Sequence, residues 1–295
     1  MSRAQIHGCG TALVTPFTPE GKLDQSAFRA LVDWQIEQGI HFLVPCGSTG
    51  EAATLSLGEH LEVVRMTVEQ AADRVPVVAG VGGNDTAATV ELTKVVSDQG
   101  ASHLMVASPP YNRPPQRGLI AHFEAIADAA GVPILLYNVP GRTASNIAAE
   151  TTLELAVHPN IVGIKEASGD MDQILEVILS RPDGFTVLSG DDPLTVQIMA
   201  LGGDGVVSVV GNAVPRLMSQ LTEAMDRANL PGARKLMAAL EPIMHAAFIE
   251  SNPIPMKAAL AELGRMGDTM RLPLVQLADE HRDTLRAALT TAGAL

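Results

Sequence analysis

A lysine at the end of an apolar run is the strongest chemical signal in this sequence. Lys165 directly follows the stretch IVGI at 161–164. An isolated ammonium group is costly to bury. Burial also lowers the pKa of a lysine, which frees its amine to attack a carbonyl carbon. Lys165 therefore predicts a Schiff base with a carbonyl substrate, and the alternative is a buried ion pair with a neighbouring carboxylate. We interpret the other four lysines as solvated residues of turns or helices: Lys22, Lys94, Lys235 and Lys257.

Schiff-base chemistry needs a group that moves protons, and the sequence has only two tyrosines, Tyr111 and Tyr137. Tyr137 lies in the apolar run that precedes the run of Lys165, and a phenol held near an amine can donate and accept a proton. The alternative for Tyr137 is a core residue whose hydroxyl is bonded to the backbone. Tyr111 lies among prolines, where a rigid surface turn is equally compatible with the sequence.

Small polar residues and an arginine follow other apolar runs. Ser48 and Thr49 lie between two glycines, where hydroxyls and free amides can relay a proton or hold a carboxylate, although a tight turn is the alternative. Arg142 can bind a substrate carboxylate with two hydrogen bonds, or form an exposed salt bridge. No two histidines have metal-ligand spacing, so we predict no metal site.

The elements that must position these residues follow a regular alternation. Eight short apolar runs are typical of parallel strands buried on both faces, at 10–17, 42–46, 75–81, 103–107, 132–139, 161–165, 185–189 and 206–210. Helical patterns lie between them, such as 24–39 with Asp24 as its cap. Asp192-Pro193, with Asp192 as the cap, and Pro215 predict further helix starts.

Eight β-α units predict an α/β fold, a (β/α)8 TIM barrel, with a doubly wound sheet as the alternative. We predict a catalytic barrel over 1–229 and a C-terminal helical extension over 230–295, with helices near 232–248, 255–263 and 275–290. Barrel enzymes carry their sites at the carboxyl ends of the strands. The candidate residues named above all follow or end such runs.

Composition excludes several classes of function. A net charge of -13, from 20 basic and 33 acidic residues, argues against binding nucleic acid or anionic membranes. The N-terminal segment 1–10 lacks the apolar core of a signal peptide, and no run has the length of a membrane span. We therefore expect a cytoplasmic protein, with Cys9 and Cys46 unpaired and buried.

The chain resembles the dihydrodipicolinate synthase family, within the pyruvate-dependent class I aldolases. The resemblance extends over nearly the whole chain. It rests on GSTGEAATLS at 47–56, YNRP at 111–114, LLYNVPGRT at 135–143, IVGIKEASG at 161–169, LSGDD at 188–192, GGDGVVSV at 202–209 and NPIPMKAAL at 252–260.

The resemblance implies a barrel with a C-terminal helical region, assembled as a homotetramer of two tight dimers. It implies condensation of pyruvate with aspartate semialdehyde in lysine and diaminopimelate biosynthesis, without an organic cofactor or a required metal. Lys165 would form the Schiff base with pyruvate. Tyr137 would donate and accept protons, linked through Ser48 to Tyr111 of the neighbouring subunit.

The same resemblance implies roles for four further positions. The amide of Thr49, with that of Ser48, would hold the pyruvate carboxylate, and Arg142 would bind the carboxylate of the semialdehyde. The Val207 carbonyl and Gly190 would line the site.

Two departures from the family pattern matter. Ser48 stands where typical synthases carry threonine, which keeps the hydroxyl but loses the methyl group that restricts its rotamer. Lysine-sensitive relatives also use a polar pocket at the dimer interface. At the matching positions only His60 and Asn84 keep polar groups, and the full set is Ala52, Ala53, Leu57, His60, Asn84, Ala88 and Pro110. A lysine ammonium would lack a carboxylate there, so we expect weak or absent feedback inhibition.

Two other functions stay open at this point. One is a different pyruvate-dependent aldolase, such as an N-acetylneuraminate lyase or a sugar-acid aldolase, because serine at position 48 is common there. Arg142 argues against it, since a sugar site would favour small or hydroxyl-binding residues. The other is a non-catalytic barrel paralogue, which would have little reason to keep Lys165, Tyr137, Tyr111 and a hydroxyl at Ser48 together.

Overall fold

The computed structural model describes residues 6–295. Residues 1–5 lie outside the described residues. They belong to the N-terminal segment that was examined for a signal peptide and to the predicted 1–229 barrel. The strands are β1 (Gly8–Ala12), β2 (Phe42–Val44), β3 (Val78–Val81), β4 (His103–Ala107), β5 (Ile134–Asn138), β6 (Ile161–Glu166), β7 (Thr186–Ser189) and β8 (Gly205–Ser208).

The strands form a parallel barrel. Their order is β2-β1-β8-β7-β6-β5-β4-β3, and a parallel bridge between Leu43 and Val77 joins β2 to β3. The predicted (β/α)8 barrel is confirmed, and the doubly wound alternative is wrong because β8 pairs with β1. Strand β1 ends at Ala12, earlier than predicted, although the Leu13 amide still donates to the Val44 carbonyl over 3.0 Å.

Helices cover the outside of the barrel and continue beyond it. They are α1 (Gln25–Glu37), α2 (Leu57–Ala71), α3 (Thr86–Ser97), α4 (Gln116–Ala129), α5 (Pro140–Thr143), α6 (Ala149–Leu155), α7 (Met171–Ser180), α8 (Thr195–Ala200), α9 (Pro215–Asp226), α10 (Leu230–Ala246), α11 (Ile254–Glu262) and α12 (Asp279–Thr291). Asp24 caps α1 as predicted, accepting from the Ala27 amide at 3.0 Å. The predicted division at 229/230 falls between α9 and α10.

The predicted capping role of Asp192 is wrong. A short 3-10 helix, Asp192–Leu194, precedes α8, and the carboxylate of Asp192 accepts instead from the amides of Val209 and Val210 at 2.9 and 3.0 Å. Asp192 therefore ties the segment after β7 to the segment after β8. Burial raises the pKa of this carboxyl.

Apolar side chains form two separate layers. The larger cluster lies between the sheet and the helices and extends into α10, α11 and α12. The smaller cluster fills the inside of the barrel and includes Tyr137 and Val207. Cys9 and Cys46 are unpaired and buried, as predicted. Among residues 6–295, none of the helices combines the length and the apolar character that crossing a bilayer requires.

Candidate active site

Lys165 and Tyr137 face each other on adjacent strands. They are register partners between β6 and β5, and the Lys165 Nζ lies 4.2 Å from the centroid of the Tyr137 ring. Both side chains are buried, with relative exposures of 4% and 7%. The structure thus brings together the candidate nucleophile and the candidate proton-transfer group that were inferred from their positions in two apolar runs.

The carboxylate next in sequence to Lys165 does not pair with it. Successive strand residues point to opposite faces, and the Glu166 carboxylate accepts from Asn138 Nδ2, the Ser168 amide and Gln173 Nε2. Burial raises the pKa of Glu166. Within residues 6–295, Lys165 forms no salt bridge, so the ion-pair interpretation finds no support.

A second lysine is buried, contrary to our reading of Lys257 as a solvated residue. Its Nζ is 2.7 Å from Glu51 Oε1 and donates to the Thr15 carbonyl over 2.9 Å. Burial lowers the pKa of Lys257. Because this amine is bound on two sides and Lys165 has no carboxylate partner among the described residues, Lys165 is the better candidate nucleophile.

The turn after β2 presents Ser48 and Thr49. The Thr49 side chain is buried and its hydroxyl accepts from Asn252 Nδ2 over 2.8 Å, whereas Ser48 is exposed. In the described part of the chain, the amides of Ser48 and Thr49 donate to no protein acceptor. Adjacent free amides in a turn form an anion-binding concavity, which suits a carboxylate.

Arg142 lies in the short helix α5, close to the turn after β2. Its Nη1 donates to the Ser48 hydroxyl at 3.0 Å, and its Nη2 donates to the Asn252 carbonyl at 3.3 Å. The residue is exposed, so its fork can also meet a ligand. The arginine and the free amides therefore place positive character on two sides of one opening.

Sequence reasoning missed Asn252 as a site residue. Its buried side-chain amide donates to Thr49 and its backbone carbonyl accepts from Arg142, so Asn252 links the two residues, and its Oδ1 has no partner among the described residues. The signal was present, since Asn252 begins the NPIPMKAAL stretch. That stretch lies after the last strand, so a search restricted to the ends of the strands does not include it.

Gly190 and Val207 lie beside the lysine. A Cβ at Gly190 would stand 2.6 Å from Ala167 Cβ and 3.0 Å from Lys165 Cε, so this close approach requires glycine. Val207 is buried on β8 inside the barrel. Both positions agree with a lining role.

Tyr111 does not join the other residues within one chain. Its side chain is 87% exposed, and its amide donates to the Thr143 carbonyl at 2.9 Å. Ser48, the expected link, is bonded to Arg142 rather than to either tyrosine. The relay inferred from the resemblance is thus not closed inside a single protomer.

A cavity of about 630 Å³ extends from Tyr137 and Arg142 to His60 and Asn84. Its lining is mainly apolar and includes Leu57, and none of the described residues that line it is acidic. His60 is buried, its Nε2 has no partner in the described structure, and burial lowers its pKa. Asn84 is exposed and bonded to Asn112. In residues 6–295, no group of three or more His, Cys, Asp or Glu side chains could hold a metal.

A parallel barrel with a buried lysine at the carboxyl ends of its strands has the architecture of a barrel enzyme. The dihydrodipicolinate synthetase family model matches residues 5–292, and the chain belongs to this family.

Similar proteins cover almost the whole chain. The 4-hydroxy-tetrahydrodipicolinate synthase of Koribacter versatilis is 50% identical over 99% of this chain and 97% of its own length. The dihydrodipicolinate synthase structure from Thermotoga maritima has a TM-score of 0.97 at 39% identity, covering 99% of this chain and 100% of that one. The chloride-inhibited synthase from Acinetobacter baumannii, solved in complex with pyruvate, has a TM-score of 0.96 at 41% identity, covering 98% and 100%.

Proposed function

We propose that this enzyme is a 4-hydroxy-tetrahydrodipicolinate synthase, which condenses pyruvate with L-aspartate 4-semialdehyde in lysine and diaminopimelate biosynthesis. The observation that carries the proposal is the pair of Lys165 and Tyr137, an amine without a carboxylate partner held 4.2 Å from a phenol ring. The names of the similar synthases agree with this reaction.

The first steps use the groups inside the barrel. The Lys165 amine attacks the pyruvate carbonyl to form a carbinolamine. Tyr137 then supplies the proton with which the hydroxyl leaves as water, and the imine forms. Loss of a proton from the pyruvate methyl group gives an enamine, whose carbon attacks the aldehyde. The amino group of the semialdehyde then displaces Lys165 and closes the ring.

The substrate carboxylates have separate binding groups in this scheme. The amides of Ser48 and Thr49 hold the pyruvate carboxylate, because both are free within the described structure. Arg142 binds the semialdehyde carboxylate with its exposed guanidinium. Val207 and Gly190 line the space around Lys165.

The proton relay is proposed to cross a subunit interface. The Ser48 hydroxyl accepts from Arg142 and keeps its own hydrogen and a second lone pair. It can therefore donate to Tyr137 and accept from Tyr111 of the partner subunit. The exposure of Tyr111 supports this arrangement, and we propose the homotetramer of two tight dimers that supplies it.

The proposed reaction needs no cofactor and takes place in the cytoplasm. The covalent lysine makes an organic cofactor or metal unnecessary, so dialysis against a chelator should leave the rate unchanged. We place the reaction in the cytoplasm, because both substrates are charged metabolites that do not cross a bilayer unaided.

Borohydride trapping tests the proposal. Incubation with pyruvate, reduction and mass spectrometry should find the adduct on Lys165 and none in Lys165→Met. Untreated wild type, supplied with pyruvate, should turn over aspartate semialdehyde in preference to sugar aldehydes. An untrapped Lys165 would refute Schiff-base chemistry, and a preference for sugar aldehydes would refute the assignment as this synthase.

A further inference from the structure

A buried ion pair links the turn after β2 to the C-terminal helix α11. The side chains of Lys257 and Glu51 both have no exposed surface, and their charged atoms are 2.7 Å apart. Lys257 Nζ also lies 4.3 Å from the centroid of the Phe17 ring. Removing two charges from water is unfavourable, so such a pair is weak evidence for stability and its position calls for another explanation.

The backbone of the turn is strained at both ends. Cys46 and Glu51 have φ angles of 57° and 53°, a left-handed region that disfavours residues with a side chain. Residues of this kind persist when their surroundings hold them, and they concentrate at functional sites. The Glu51 carboxylate is held by Lys257 on one oxygen and by the Arg271 amide, at 3.2 Å, on the other.

Glu51, the strained residue at the end of the turn, is connected to the free amides of Ser48 and Thr49. The Glu51 amide donates to the Ser48 carbonyl at 3.2 Å, which belongs to the peptide plane that carries the Thr49 amide. The Gly50 carbonyl accepts from the Thr15 hydroxyl at 2.7 Å, and the Thr15 carbonyl accepts from Lys257. Lys257 therefore contacts both Glu51, at the end of the turn, and Thr15, which binds the Gly50 carbonyl.

We infer that Lys257 and Glu51 are positioning residues, which hold the turn 47–51 in the conformation that binds the pyruvate carboxylate. This inference rests on the proposed function, since pyruvate is the ligand assigned to the turn. Neither residue touches the reacting atoms. Their effect reaches the substrate through the direction of the Ser48 and Thr49 amides.

The consequence is a selective loss of pyruvate binding. Lys165 and Tyr137 lie on β6 and β5, outside the turn, so imine formation should persist once pyruvate is bound, and kcat should fall only as far as the Ser48 hydroxyl of the relay is displaced. A change that removes binding common to the ground state and the transition state raises KM and leaves kcat. A general collapse of the site would instead lower kcat at least as much as it raises KM.

The test compares single and double variants of the pair. Lys257→Met and Glu51→Gln alone each leave a buried charge without its oppositely charged partner, so both should lower the melting temperature. In the double variant neither residue of the pair carries a charge, so it should recover much of the melting temperature that the single variants lose. Its KM for pyruvate should nevertheless be raised about 10- to 100-fold, as expected for a displaced binding group, with a clearly smaller fall in kcat.

A matched control removes a partly exposed pair between the same helix and α12. Glu262 lies in α11 and pairs with Arg286 at 2.8 Å, with the arginine side chain 60% exposed. The double variant Glu262→Gln/Arg286→Met makes the same change in charge and should keep the wild-type KM for pyruvate. Glu51→Asp is a second probe, because aspartate tolerates the left-handed region but is one methylene too short to reach Lys257.

Each outcome decides the question. An unchanged pyruvate KM in the folded double variant, or in Glu51→Asp if the double variant does not fold, overturns the inference. A fall in kcat that matches the rise in KM also overturns it. Borohydride trapping of wild type with pyruvate alone runs in parallel: no Lys165 adduct refutes the proposed function and the inference with it, whereas an adduct with an unchanged variant KM refutes the inference alone.

Discussion

Lys165 Nζ stands over the face of the Tyr137 ring, 4.2 Å from its centroid, and the two residues are neighbours in the strand register. A positive or developing positive charge at this amine is favoured by the ring as well as by the hydroxyl. Tyr137 thus has two separable contributions, one from its ring and one from its proton.

Tyr137→Phe separates these contributions. The ring remains over Lys165 and the core packing is kept, so the melting temperature should stay near that of wild type. Loss of the proton-transfer group should lower kcat by about 100- to 10,000-fold. Steady-state kinetics and thermal unfolding measure the two effects, and near-normal turnover would remove Tyr137 from the relay.

Arg142→Met should raise the KM for aspartate semialdehyde more than the KM for pyruvate. Losing a hydrogen bond to a charged group costs about 1.5–3 kcal/mol, which corresponds to roughly a 10- to 100-fold weaker interaction. Arg117→Met, on the surface helix α4, serves as the control. An equal increase in both KM values would show that Arg142 supports the turn after β2 and does not bind the semialdehyde.

Two inactive variants should complement each other if Tyr111 acts across the interface. A hybrid dimer of Lys165→Ala and Tyr111→Phe has one site with an intact lysine and an intact Tyr111 of the partner subunit. Random co-assembly of the co-expressed chains should restore about a quarter of the wild-type activity, since a two-fold dimer has two equivalent sites. Activity no higher than that of each variant alone would place Tyr111 in its own protomer or outside the reaction.

Lysine should inhibit this enzyme weakly or not at all. Its ammonium would enter a cavity whose described lining includes Leu57, His60 and Pro110 but no acidic side chain. Desolvating an unpaired ammonium is strongly unfavourable. Initial rates with increasing lysine measure this, and strong inhibition at submillimolar lysine would contradict it.

Glu59 should make stability depend on pH in the acidic range. Hydrogen bonds from Arg271 lower the pKa of Glu59 from 4.5 to about 2. A carboxyl with a lowered pKa in the folded state stabilises that state above its ordinary pKa, and the contribution is lost as the pH falls toward the folded value. The difference in melting temperature between wild type and Glu59→Gln should be constant above pH 4.5 and shrink below it. A difference that did not change with pH would assign the effect to packing.

Much of the fold could be predicted from local pattern, because each parallel strand is apolar on both faces. Lys165 stood out because it ends such a run. The cap at Asp24 depends on neighbours in sequence and was predicted correctly. The role of Asp192 was not, because its partners Val209 and Val210 lie in a different segment, and only the closed barrel brings them near.

The errors in the candidate site have the same physical origin. Lys257 lies in α11, whose residues Ile254 to Leu260 are all buried. A helix buried on every side has no polar face by which a pattern could reveal the environment of one lysine. The links of Asn252 to Thr49 and Arg142 span about two hundred and about one hundred residues respectively. Contacts between residues so far apart in the chain depend on the fold and cannot be predicted from the spacing of residues in the sequence.

The interior position of Tyr137 bears on how this enzyme could be redesigned. The tyrosine belongs to the apolar cluster inside the barrel, together with Val207, whereas Arg142 lies on an exposed short helix. Random substitution near the tyrosine would disturb core packing and chemistry at once. Libraries aimed at new aldehyde acceptors should therefore vary Arg142 and its surroundings, where a change in selectivity need not compromise folding.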